Sequence, residues 1–222
     1  MNDLKFTNQL LPIILAISGA SGTLYGIRIL QFLLESGYKV EFVISESALK
    51  VIQNELGLNF SLNPKLLREQ VLSYLKISSV KNDSFTIWAH DDIAASISSG
   101  SYKTLGMIIA PCSMGTIGAI ASGASDNLIT RAADVCLKER RKLVIVPREM
   151  PFSTIHLENL LKLSSNGAVI TPASPAFYHN PRTISDIVDF VAGKVLDVFG
   201  IDHNIFKRWK KEAELSDVML KN

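Results

Sequence analysis

The chain is poor in the features that mark specialised protein classes. It carries only 2 cysteines in 222 residues. Both, Cys112 and Cys136, sit in apolar segments with no Cys-x-x-Cys and no His/Cys spacing, which argues against a zinc site or a disulfide framework and for buried thiols in a reducing compartment. No stretch approaches the roughly eighteen continuous apolar residues that span a bilayer. The opening MNDLKFTNQL has an aspartate, a single lysine and no small-residue cleavage site behind an apolar core, so a secretory leader is not expected and cytoplasm is the default. Charge of one sign is scarce as well. The formal net charge of +2 is too small to argue for a nucleic-acid track. Histidine is rare, with 4 in the chain: His156, His179 and His203 are scattered, and His90 beside Asp91 and Asp92 is a weak metal pairing, so no metal is expected. Internal repeats, low-complexity tracts and Pro/Ser-rich linkers are missing too.

What the chain does have is a globular balance, with 47% hydrophobic and 20% charged residues, and a length that suits a single domain. Short apolar runs alternate with longer amphipathic ones, the rhythm of βαβ units. Strands are expected at Leu11–Ser18, Lys39–Ile44, Leu105–Ala110, Leu143–Val146 and Ala168–Ile170. Their Val/Ile/Leu content lacks polar alternation, as in parallel strands covered on both faces. Helices are expected over Thr23–Ser36, Ser45–Leu56, Asn63–Leu75, Ser125–Arg140, Ser153–Ser164 and Ser185–Phe199, the second with a serine cap and the last closed by Gly200. Residues 78–104 are weakly patterned and read as a long loop. The tail, 201–222, mixes Trp209 with charge and is expected to pack on a neighbouring subunit.

In a doubly wound α/β sheet, ligands bind at the carboxyl ends of the strands. Three loops there are chemically unusual. Ser18-Gly19-Ala20-Ser21-Gly22-Thr23 offers glycines for close approach, hydroxyls, and a helix N-terminus that favours an anion; a plain βα turn is the blander alternative. It is not Gly-x-Gly-x-x-Gly, and the Gly-Lys-Ser/Thr of a nucleoside-triphosphate loop is missing. Pro111-Cys112-Ser113-Met114-Gly115-Thr116 repeats the strand-to-helix pattern, opening either a ligand cradle or a Gly/Ala-rich helix that merely packs closely. Val146-Pro147-Arg148-Glu149-Met150-Pro151-Phe152 sets a cation beside an anion between prolines. Arg148 and Glu149 are either a surface pair of little energetic weight or a phosphate grip with a proton to exchange. On the fourth helix Arg131, Asp134 and Lys138 share one face, where an Asp134–Lys138 pair is the simplest expectation. Basic residues gather locally at Arg131, Lys138, Arg140, Arg141 and Arg148, a pattern suited to a small anionic ligand. A proline-stiffened loop at 171–179 carries Tyr178 and His179.

Taken together, SGASGTLYGIRIL (18–30), the block APCSMGTIGAIASGASDNLITRAADVCLKERRKLVIVPREMPFSTIHLENLLKLSSNGAVITPASPAFYHNP (110–181) and the Val188–Lys194 helix resemble the flavin prenyltransferase family of the UbiX type. The resemblance runs from Pro12 to Trp209, and the Ser113–Pro181 block is its most specific part. It implies a three-layer Rossmann-like or flavodoxin-like doubly wound parallel sheet, assembled as a dodecamer with sites at subunit junctions. It implies reduced FMN and dimethylallyl monophosphate as substrates, no metal, and a product passed to a partner decarboxylase. Gly19, Ala20, Ser21, Ser45, Ser113, Met114, Gly115 and Thr116 match FMN-contacting positions, and Arg148 matches one near both flavin and phosphate. Lys138, Glu149, Tyr178 and Lys194 match positions around the dimethylallyl phosphate, with Arg131 in the same basic neighbourhood. Glu55 with Ser21 matches a proton-handling pair, and Trp209 an aromatic beside the prenyl group. Two positions depart from the pattern: Ile93 stands where many relatives have an aromatic, and Lys194 where some have arginine. The competing readings are a flavin-dependent decarboxylase acting directly on a carboxylate and a non-catalytic flavin-binding subunit. Against the first, the cysteine-decarboxylating relatives need a histidine shortly after the second strand, and Ser45–Phe60 has none.

Overall fold

The computed structural model describes residues 11–78, 80 and 82–209. Six parallel strands form one sheet: β1 Ile13–Ile17, β2 Val40–Ile44, β3 Phe85–Trp88, β4 Gly106–Cys112, β5 Lys142–Pro147 and β6 Val169–Ile170. Their order is β3-β2-β1-β4-β5-β6, the doubly wound Rossmann order, with the reversal between β1 and β4. The helices among the described residues are α1 Thr23–Glu35, α2 Glu46–Leu56, α3 Pro64–Tyr74, α4 Met114–Ser122, α5 Leu128–Lys138, α6 Thr154–Ser165 and α7 Ile184–Phe199.

The three layers follow from the strand sequences. Every residue of β1, β2 and β4 is buried, because apolar side chains emerge on both faces and each face is covered. Ile13, Leu15 and Ile17 pack with residues of α1, α2, α3 and α7 on one face, while Ile14 and Ala16 join α4, α5 and α6 on the other. Full burial of one such side chain stabilises the fold by about 1.5–3 kcal/mol. Cys112 and Cys136 are buried within the second layer, and burial pushes both thiols up to about 12.

Residues 78–104 depart from the expected loop, since β3 lies within them. It has four residues, with Phe85 and Ile87 buried and Thr86 and Trp88 half-buried. So short an edge strand shows only two turns of alternation. The fourth helix is also shorter than expected. Asn127 and Thr130 form a capping box that starts α5 at Leu128, and Arg140 adopts a left-handed φ of 55° beyond its end. Before it, Met114–Ser122 forms a separate helix, α4, ended by Gly123 at φ 78°.

The first part of the tail lies on its own subunit: Ile201 and His203 are buried, and Phe206 packs against the core beneath α7. Residues 210–222 lie outside the described residues, so contact of that segment with a neighbour remains an expectation. No helix among the described residues is long and apolar enough to cross a membrane.

At the β1/β4 reversal, α1 runs unusually close to the sheet. A Cβ on Gly26 would lie 2.1 Å from the Ala110 carbonyl oxygen and 2.7 Å from Cγ1 of Ile17, and backbone cannot yield to it. Gly26→Ala is therefore expected to destabilise the fold by about 1–3 kcal/mol or more through overpacking, despite alanine's better helix propensity. Urea titration of the two proteins measures it.

Candidate active site

Helices α1 and α4 leave the adjacent strands β1 and β4 toward opposite faces, which opens a crevice between their first turns. Ser18 sets its width. The Ser18 hydroxyl donates to the Pro111 carbonyl at 3.3 Å and accepts from the Ser113 amide at 2.8 Å. The Ser18 amide also donates to the Pro111 carbonyl, at 3.2 Å. Being buried and fully engaged, Ser18 joins the two loops and leaves ligand contact to its neighbours.

Gly19 is required by packing: a Cβ there would sit 2.3 Å from the Ser47 hydroxyl. Ser47 bonds in turn to Ser45 at 3.0 Å, and Ser45 caps α2 through the Ala48 amide at 3.1 Å. The loops after β1 and β2 thus close on each other, bringing Gly19, Ala20, Ser21 and Ser45 to one rim. On the other rim Ser113 caps α4, accepting from the Thr116 amide at 3.3 Å and sharing a hydrogen bond with the Thr116 hydroxyl at 3.0 Å. A Cβ on Gly115 would meet nothing within 4 Å, so this glycine leaves space over the first turn of α4. The amides of Met114 and Gly115 belong to that turn and have no intrahelical acceptor.

The other helix N-terminus is already taken. Glu55, near the end of α2, accepts from the Gly22 amide at 2.8 Å, the Thr23 amide at 3.1 Å and the Thr23 hydroxyl at 2.8 Å. The anion at the start of α1 is therefore the protein's own carboxylate, which corrects the expectation of a free anion site there; the crevice's open donors lie on α4. Burial draws the Glu55 pKa upward, but hydrogen bonds from Ser21, Gly22 and Thr23 outweigh it and leave the group below the usual carboxylate range.

Arg148 closes the crevice from β5. Its Nε donates to the Ser21 carbonyl at 3.2 Å, and among the described residues the rest of the guanidinium makes no hydrogen bond. Glu149 does not pair with it; the Glu149 carboxylate accepts from the Met150 amide at 3.0 Å and is exposed. Tyr25 also belongs here, although no motif singles it out. Its ring lies against Gly22, where a Cβ would come within 2.7 Å of Cε2. Burial first, then the Glu55 charge, raise the Tyr25 pKa, and Arg148 opposes them. Gly22 is left-handed, at φ 91°, and bare of a side chain where the Tyr25 ring packs, a close approach that a sequence motif does not display.

The remaining candidates form two further groups. Arg131 and Lys138 belong to α5. Arg131 donates to the Ser98 carbonyl at 3.1 Å and to Asp134 at 3.0 Å, so Asp134 pairs with Arg131 and not with Lys138. Lys138 bonds to Glu139 at 3.2 Å and lines a cavity of about 430 Å³ with Arg140 and Lys162. It lies four residues before β5 starts, whereas Arg148 follows the strand's end; the six-residue strand separates them by roughly 17 Å at 3.3 Å per residue. Within one chain these two cations do not meet. The third group flanks α7. Tyr178 stands edge-on to Trp209 at 5.0 Å and to Phe190 at 5.7 Å. Lys194 lies 3.7 Å from Asp197. The Val198 carbonyl, one turn further along α7, accepts from Lys142 at the start of β5, so Lys194 too sits toward the amino end of the sheet. Ile93 is exposed, away from all three groups' hydrogen bonds. Among the described residues no three His, Cys, Asp or Glu side chains gather where they could hold a metal ion.

The Flavoprotein family model matches residues 3–196, which places the chain and its switch-point crevice among the flavoprotein-type α/β domains. Within that class the chain belongs to the UbiX flavin prenyltransferase family. It is 50% identical to the flavin prenyltransferase UbiX of Alkalihalophilus pseudofirmus over 193 residues, 87% of this chain and 93% of that one. Among solved structures it is similar to AnUbiX (PadA1) in complex with FMN and dimethylallyl pyrophosphate, with 40% identity and a TM-score of 0.78 over 90% of this chain and 98% of that one. A dodecameric FMN-dependent UbiX-like decarboxylase from Escherichia coli O157:H7 is 42% identical, also with a TM-score of 0.78, over 90% of this chain and all (100%) of that one.

A depressed carboxylate contributes stability above its unfolded value, about 4.3 for glutamate, and loses it as pH falls through the lower folded value. Wild-type protein should thus lose stability on acidification below about pH 4.3 more steeply than Glu55→Gln, which has no such proton to take up. Denaturant midpoints measured from pH 7 to pH 3 check the slope.

Proposed function

We propose that the protein is a flavin prenyltransferase that joins the dimethylallyl group of dimethylallyl monophosphate to N5 and C6 of reduced FMN without a metal. The observation that carries this reading is the β1/β4 crevice, with Gly115 leaving space beside open α4 amides and Arg148 reaching across to Ser21. A planar, phosphate-bearing ligand fits such a site. Gly19, Ala20, Ser21, Ser45 and Ser113 through Thr116 would hold it. When bound, the reduced flavin supplies an electron-rich ring that accepts the allyl group.

The residues' task follows from the bond that breaks. The allylic C–O bond cleaves with its electron pair leaving on the phosphate, so the protein must hold that charge and keep water from the carbon. Arg148, Lys138 and Lys194 neutralise the phosphate, with Arg131 adding to the field and Tyr178 donating a hydrogen bond. Glu149, exposed beside Arg148, hands the leaving phosphate its proton when protonated. Trp209 and Tyr178 present π surface to the positive carbon, worth about 0.5–2 kcal/mol per contact. Closing the second bond moves one proton, lost from ring C6 and gained by the allyl double bond, and Glu55 with Ser21 would shuttle it. A Glu55 that keeps its hydrogen bonds from the start of α1 is a weak base, so Ser21 relays the proton while Glu55 steadies it.

Arg148, Lys138 and Lys194 lie in three places on one chain, which supports sites completed by neighbouring copies. Met150, Ile155 and Leu161 are 87%, 67% and 68% exposed, apolar surface of the kind that association covers, and a dodecamer fits both. The cytoplasm as location and a prenyl-FMN-dependent decarboxylase as receiver of the product complete the proposal. Direct decarboxylation is less favoured, because Ser45–Phe60 holds no histidine.

Incubation with reduced FMN and dimethylallyl monophosphate should yield FMN enlarged by one five-carbon unit on mass spectrometry; no such product, with either the mono- or the pyrophosphate donor, would refute the reading. Glu149→Gln should bind FMN normally but turn over about 10²-fold more slowly or worse, as single-turnover absorbance would record. Glu55→Gln should halt after the first carbon–nitrogen bond, leaving a product of full mass without the closed-ring spectrum.

A further inference from the structure

Helix α7 has a notch at Gly193. A Cβ there would lie 2.4 Å from Cδ1 of Phe206 and 2.7 Å from Cε1 of His203, so both rings pack on bare backbone. The His203 side chain is fully buried, at 0% exposure. Its Nε2 lies 2.8 Å from the Gly193 carbonyl and 3.1 Å from Asp197 Oδ1, with Arg208 Nη2 further off at 3.4 Å, and the two nearer acceptors favour the tautomer with the proton on Nε2. Phe32 of α1 meets the same imidazole edge-on at 6.1 Å. The chain after α7 is thus plugged into a groove that only glycine leaves open.

Asp197 ties this plug to two cations. It accepts from Arg208 at 3.2 and 2.7 Å and lies 3.7 Å from Lys194. Burial draws the Asp197 pKa upward, but the Arg208 hydrogen bond, then the charges of Arg208, His203 and Lys194, overcome it and hold the carboxylate ionised. One anion therefore lets Lys194 and Arg208 sit side by side without uncompensated repulsion. The residue after Arg208 is Trp209, with its ring 5.0 Å from Tyr178 at 83°.

We propose that Gly193, His203 and Asp197 are positioning residues. They key residues 201–209 onto α7, and so set Trp209 against Tyr178 and fix Lys194 as one preformed wall for the dimethylallyl donor. The donor's identity rests on the prenyl-transfer reading; the keying does not. It follows that the affinity for FMN, held at the β1/β4 crevice, is independent of the wall.

The test compares wild type, Gly193→Ala and Asp197→Asn as full chains. Alanine favours helix, so α7 is retained while the notch is filled, and circular dichroism checks this. The chain has 2 tryptophans, so subtracting the spectrum of the matching Trp209→Phe protein from each isolates Trp209. Gly193→Ala is expected to shift Trp209 emission to the red and open it to iodide quenching. It should also raise the KM for dimethylallyl monophosphate about tenfold or more, with FMN affinity changed less than about twofold. Asp197→Asn should act in the same sense but more weakly, and it carries the test if Gly193→Ala fails to fold. Unchanged Trp209 emission in both variants overturns the keying. Shifted emission with unchanged donor KM, or equal loss of donor and FMN binding, overturns the positioning role. Failure of the wild-type protein to form any product overturns the prenyl-transfer reading, and with it the donor part of the proposal, while the emission comparison still decides the keying.

Discussion

Ser18 is the joint on which the crevice depends. Two parallel strands at a reversal point diverge into helices on opposite faces, and nothing in sheet hydrogen bonding itself fixes how far their loops stand apart. The Ser18 hydroxyl, bonded to Pro111 and to Ser113, supplies that constraint from within. The glycines then adjust the fit: Gly26 brings α1 onto β4, Gly19 admits Ser47, and Gly115 leaves room. Loss of the hydroxyl would leave the Ser113 amide short of its acceptor, costing about 1–3 kcal/mol, while the Pro111 carbonyl would keep only the Ser18 amide. It would also free the two rims to drift.

Electrostatics divides the crevice in two. At α1 the helix dipole is answered by Glu55, a partner inside the same chain. At α4 it is unanswered, and Arg148 adds positive charge from the third loop. A negative ligand is thereby directed to one side of the opening. Cations bound in other copies' surfaces extend the same field only if subunits meet, which links charge placement to association.

Much of this was legible in the sequence, for physical reasons. Strands buried on both faces are dominated by apolar residues, so β1, β2, β4 and β5 announce themselves, and helix ends follow from Ser45 and Gly200. The reversal-point loops are visible because only small and hydroxyl-bearing residues suit them. What stayed hidden depends on distant pairing. Glu55 meets Gly22 across 33 positions, and no local pattern signals that a helix N-terminus is already capped by such a partner. Asp134 had two cations at helical spacing, and Arg131, held also by the Ser98 carbonyl, is the one that pairs with it. β3 was too short to show a period. The separation of Lys138 from Arg148 follows from strand direction, which adjacency in a basic cluster conceals.

The scattering of Arg148, Lys138 and Lys194 over one subunit bears on how such a protein tolerates damage. If each working site draws its cations from different copies, a chain lacking Arg148 and a chain lacking Lys194 are each inert alone, yet a mixed ring of the two regains intact pockets at a frequency fixed by chance.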